Sequence, residues 1–219
     1  KFEQGQEAAT ACLQLASEGS FNWFKYQELF FLLSMHTGEY QNAYRTWQHI
    51  TNHKKYRFLS ENNQEIWRIY GAFVHYLVEL GHVTSKLTDE FERFRIQKFV
   101  NDTPIYSKDK SGMNIPITIV QIIFIIAYRK YDNAIDRIEA IEKYCYRHLT
   151  DSATLRSNYF IKMLLQIPAA SFQKDEAVAR AQKYLAKLRS NPIDMANYAH
   201  EIEIIPYEHL WQLVLKSLI

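Results

Sequence analysis

Only three residues, Thr37-Gly38-Glu39, separate two stretches in which large apolar side chains recur every three or four positions. Before them, Trp23, Tyr26, Phe30 and Leu33, with Phe24 and Phe31 on a second side, predict a helix over 22–36 that is apolar nearly all round. After them, Ala43, Tyr44, Trp47 and Ile50 predict a helix over 40–51. A connection that short makes the two helices antiparallel, packed neighbours, a helical hairpin. The same period predicts further helices over 6–17, 63–80, 89–100, 114–129, 131–148, 153–165 and 174–189, and a last amphipathic segment starting at Glu208. With 6 Gly and 5 Pro in 219 residues, turn punctuation is too sparse for a β-sandwich or barrel but sufficient for helix connections. The expectation is an all-α chain of stacked antiparallel helical hairpins forming one repeat domain over 1–219, with a subdivision near 101–114.

A core is affordable in such a chain. Apolar residues make up 47% and aromatics 15%, far from the composition of a disordered segment. The richest apolar run, Ile115 to Tyr128, is interrupted by Pro116, Thr118 and Gln121. It falls short of the ~20 residues a membrane span needs, so it is expected to be a buried core helix, with Asn114 as N-cap and Pro116 in its first turn. Cys12 and Cys145 stand too far apart for a disulfide framework or zinc knuckle and are read as buried thiols. The chain begins Lys1-Phe2-Glu3, without Met and without a charged region leading into an apolar one. It is therefore expected to be the C-terminal part of a longer protein, in a reducing cytoplasm.

Two of the expected hairpins share a local spacing. Gly38, Tyr40, Ala43, Trp47 and Ile50 stand as Arg129, Tyr131, Ala134, Ile138 and Ile141 do 91 positions later. Tyr-x-x-Ala followed by large apolar residues resembles the start of the second helix of a tetratricopeptide repeat, in which a small residue lets two helices cross closely. The resemblance implies a right-handed α-α superhelix with a concave binding face. It is partial: Phe31 and Ile122 occupy first-helix positions where that family usually has a small residue, and the third hairpin offers Ala177, Ala181 and Tyr184 without the aromatic start. The segment IYSKDKSGMNIPITIVQIIF also resembles an uncharacterised bacterial family of helical proteins, which implies no activity.

The formal net charge of +2 is unevenly placed. Residues 41–60 carry Arg45, Lys54, Lys55 and Arg57 with no acid; residues 93–130 carry seven cations against Asp102 and Asp109; from 191 onward Asp194, Glu201, Glu203 and Glu208 face Lys216. A basic middle and an acidic tail fit either solvated helix faces or an anionic partner. His49 and His53 have the spacing of a two-histidine metal clamp but lack a following Glu, and are read as surface or half-buried side chains. Cys145 with His148 is read as a packed thiol. Asp132 with Asp136 and Glu139 with Glu142, interspersed with Arg137 and Lys143, read as a solvated helix face. No phosphate-cradling glycine motif is present.

Residues 101–114 are long for a helix connection. Two readings stand: a solvated linker between halves, or an anion-binding loop in which Tyr106, Lys108 and Lys110 act with Arg93, Arg95 and Lys98. The functional expectation is a non-enzymatic scaffold that binds a protein or peptide, with no cofactor, metal or membrane association. The second expectation is binding of RNA or single-stranded DNA, with HKKYRF at 53–58 supplying rings among positive charges. An enzyme whose residues converge only in three dimensions is the third, and would show as perturbed titratable groups sharing a deep pocket.

Overall fold

The computed structural model of the chain describes residues 2–84, 99, 113–129, 143, 154–193 and 203–218. It divides into two compact units, Lys1–Arg95 and Ile96–Ile219. Among the described residues the chain is all-α, with eight α-helices, one 3-10 turn and no strand.

The first unit holds α1 (Phe2–Leu15), α2 (Phe21–Thr37), α3 (Tyr40–Thr51), the 3-10 turn Tyr56–Phe58, and α4 (Glu61–Glu79). Successive helices pack on one another. Their ends follow local chemistry. The Ser20 and Ser60 hydroxyls cap α2 and α4 by accepting from the Trp23 and Asn63 amides. Gly38 closes α2 at φ +79°, a left-handed conformation that glycine adopts without a Cβ penalty. The hairpin predicted across this glycine is present, with α3 starting and ending as its apolar spacing foretold.

α4 is the buried centre of this unit. Trp67, Ile69, Tyr70, Phe73, Val74 and Leu77 are all shielded from solvent. Phe31 of α2 stacks on Tyr70 at 4.7 Å and meets Trp67 edge-on at 5.6 Å. Trp47 of α3 lies over Gly71, where a Cβ would come within 2.8 Å of Trp47 Nε1, and that indole N–H donates to the Trp67 carbonyl at 3.2 Å. Ala43, predicted as the small residue of the crossing, is fully buried on α3. Beyond α4, Gln41 accepts from the Thr84 amide and donates to its carbonyl, tying the start of α3 to the segment after α4.

The second unit holds α5 (Asn114–Ala127), α6 (Leu155–Ala169), α7 (Lys174–Ser190) and α8 (Tyr207–Ser217). α6 and α7 form a hairpin, and α8 packs against α5, α6 and α7. The apolar run becomes the core helix expected: every residue from Asn114 to Ile126 is buried. Met113, not Asn114, occupies the N-cap position, and Asn114 is already helical; its carbonyl accepts from Thr118 Oγ1 at 2.8 Å. α6 runs through Pro168, which lies in its last turn. There a missing N–H costs one terminal bond, and the proline carbonyl still accepts from Ser171. The α6–α7 connection turns through positive φ at Ser171 and Phe172, and Ala177 and Ala181 give α7 a small-residue buried side.

Candidate functional site

The residues singled out around the long loop, Arg93, Arg95, Lys98, Tyr106, Lys108 and Lys110, lie outside the described residues. So do Cys145, His148 and the carboxylates of 132–142. The first basic stretch, 41–60, is described throughout.

Arg45, Gln48, His49, Asn52 and His53 project from the C-terminal half of α3 and the turn after it, a spacing of three and four that gathers them on one side. With Lys54, Lys55 and Glu18 they line an open cleft of about 730 Å³. Cations gathered at the C-terminal end of a helix also complement its exposed carbonyls. Behind the cleft, the His49 and His53 rings rest on Trp23 at 5.4 and 5.1 Å, and His53 meets Phe24 at 5.5 Å. His53 Nδ1 accepts from the Lys55 amide at 3.1 Å, so the proton of the neutral ring sits on Nε2, which faces Glu18 Oε1 at 3.6 Å. With Nδ1 occupied, the two histidines are arranged for packing rather than as a clamp. Among the described residues no group of three or more His, Cys, Asp or Glu side chains is placed to hold a metal ion.

A second, more apolar pocket of about 300 Å³ adjoins the cleft, and Lys55 lines both. Its walls are Phe21, Phe24, Phe58 and Leu59, with Ser60 and Asn63 at the start of α4. Phe58 is 74% exposed and Phe21 62%, an unusual state for large rings beside a cluster of cations. The Arg57 guanidinium lies 4.8 Å over one face of Phe58. Gly19, at φ +72°, lets the α1–α2 turn come close: a Cβ there would meet both His53 Cε1 and Lys55 Cδ at 2.7 Å. Of the rings in HKKYRF, Phe58 is open. Tyr56 is half-buried, donates to the Gln64 carbonyl at 3.1 Å, and its hydroxyl is pushed above the usual tyrosine value by burial, against a smaller lowering from Arg68.

The second unit contains a different convergence that spacing gave no sign of. Arg156, on α6, donates through Nε and Nη2 to Glu203, through Nη2 to Glu208 at 2.8 Å, and through Nη1 to the carbonyls of Leu188 and Asn191. Glu203 also accepts from the Tyr207 amide at 3.1 Å. Burial works against the guanidinium, but the hydrogen bonds and charges of Glu203 and Glu208 outweigh it and hold Arg156 above its ordinary value. Burial lifts the Glu203 carboxyl above the ordinary carboxylate range, opposed by Arg156 and the Tyr207 amide. Next to the cluster, Ser157 Oγ and Tyr207 Oη lie 2.6 Å apart and Tyr207 stacks on Phe160 at 4.4 Å. Both nitrogen arms and Nε of Arg156 are engaged inside the protein, so the cluster acts as a clamp joining α6, the end of α7 and the start of α8. Cys12, expected to be buried, is a free and half-exposed thiol on α1, the helix that packs on α2.

Comparison with protein-family models, curated proteins and solved structures finds no match to this chain. None of the described helices is long and apolar enough to cross a membrane.

Proposed function

We propose that the chain is a non-enzymatic, tetratricopeptide-like helical scaffold of the cytoplasm that binds an extended segment of a partner protein along α2. One observation carries this reading. Phe21, Lys25 and Leu29 follow one another at intervals of four on α2, with Phe21 and Leu29 62% and 60% exposed and Lys25 held upright by Glu28 at 2.7 Å. Successive steps of four advance only ~40° round a helix, so the three side chains form one stripe. An apolar stripe interrupted by a charge is a natural anchor for a partner segment, because burying each exposed apolar side chain contributes about 1.5–3 kcal/mol.

Selection of a displayed random-peptide library on the immobilised, nuclease-treated chain tests the reading. Convergent peptides carrying apolar anchors are expected. Their capture should fall about tenfold or more on L29E, since a carboxylate cannot enter an apolar contact without losing its hydration. Leu29 is exposed, so folding is not at stake. A selection that does not converge, or peptides indifferent to L29E, overturns the proposal.

A further inference from the structure

The cleft after α3 and the adjoining apolar pocket differ in chemistry from the α2 stripe. We propose that they form a second site, one that takes a stretch of two or three nucleotides of single-stranded nucleic acid. Lys55, the residue common to both cavities, would hold the phosphate between two bases. This site shares Phe21 with the α2 stripe, but Phe58, Lys55 and the other cations of the cleft lie outside that stripe, so either reading can fail without the other.

Three features converge on that ligand. The first is charge: Arg45, Lys54 and Lys55 line the cleft, and its one carboxylate, Glu18, is directed at His53. Cations that line a groove neutralise phosphates and supply affinity without regard to sequence. The second is the ring at the lip. Phe58 has one face under Arg57 and is otherwise open to solvent, which leaves a flat apolar surface for a base, with Phe21 across the pocket. Bases stack on such rings whatever their identity.

The third feature separates a nucleotide from an acidic peptide. The cleft lining offers Gln48 and Asn52 beside its cations. Each amide presents both donors and an acceptor, the mixture found on a base edge, whereas a carboxylate can use only donors. Gly19 preserves the geometry, because any side chain there would displace Lys55 from its place between the two cavities.

The test is fluorescence anisotropy of the full chain with a fluorescein-labelled twelve-nucleotide oligouridylate. If about three phosphates are neutralised, affinity should fall about 20-fold between 50 and 200 mM salt. F58A should weaken binding at least about fivefold, the low end of what one stacked base supplies, and K55E about tenfold or more. K216E, the same charge change on exposed Lys216 of α8, should leave binding as it was. Phe58 is a surface residue and Lys55 lies on the cleft wall, and unchanged circular-dichroism melts confirm that both variants are folded. Absent binding, binding without salt dependence, or F58A and K55E variants that bind like the parent each overturn the proposal. So does an oligoglutamate that competes as well as unlabelled oligouridylate, which would identify the cleft as a surface for acidic protein segments.

Discussion

In the first unit, helices meet through rings. Phe31 stacks on Tyr70, Trp67 stands edge-on to both, and Trp47 lies against the bare backbone of Gly71. Arg45, Lys54 and Lys55 stay at the open cleft, where water screens them. In the second unit, an apolar helix buried on all sides is accompanied by an ion cluster that is itself buried: Arg156 and Glu203 are 7% and 3% exposed. Both solutions close a helical core, but they fail differently. Ring contacts are many and individually weak, so one loss is shared, while a buried charge stripped of its partner has nowhere to find another.

Arg156→Ala is the most direct way to break the comparison. It leaves Glu203 buried without its counter-charge and should remove about 3–5 kcal/mol from the second unit. Urea unfolding followed at Trp211, the tryptophan of that unit, measures it. A loss under about 1 kcal/mol would mean that the cluster is no more than a surface pair.

Acid should act on the first unit through His75, whose ring lies 5.8 Å from Trp47. Burial lowers it from 6.5 to about 4. The unfolded chain then takes up this proton before the folded one does. Stability from this group is fully present above pH 6.5 and lost as pH falls toward 4, by up to about 3 kcal/mol. Native-state hydrogen exchange between pH 7 and 4.5 should show the decline in α4, and H75Q should flatten it.

The smallest effect sharpens the account of ring packing. Gly71→Ala places a methyl against the Trp47 indole, which cannot retreat without losing its bond to the Trp67 carbonyl. Overpacking of this kind costs about 1–3 kcal/mol, partly offset by the better helix propensity of alanine. A chemical melt read by Trp fluorescence checks the direction. A more stable variant would show that the close approach of α3 and α4 is looser than the geometry implies.

Legibility in the sequence followed the range of the interaction. Gly38 and the apolar spacing on either side of it announced the first hairpin, because a helix end and an apolar stripe are written in neighbouring residues. The run from Ile115 announced the helix that is buried all round. The candidate site was legible only in part. The cations of 41–60 were visible as a stretch, but Glu18 and Phe21 come from the preceding turn and helix, and nothing in HKKYRF says that Phe58 faces water while Tyr56 turns inward to Gln64. Glu203 and Glu208 counted merely as part of an acidic tail.

What the sequence determined by itself is the all-α class, most boundaries of the described helices and the identity of the core helix. These depend on period, caps and the hydrophobicity of segments, all of which act over a few residues. The helices expected over 89–100 and 131–148 lie, but for Phe99 and Lys143, outside the described residues. What only the tertiary structure decided is which polar groups are buried and which rings are open. Arg156 meets carboxylates 47 and 52 positions away, and Trp47 meets a glycine 24 positions on. Such contacts exist only once the helices have packed, because the position of each partner is set by every helix between them.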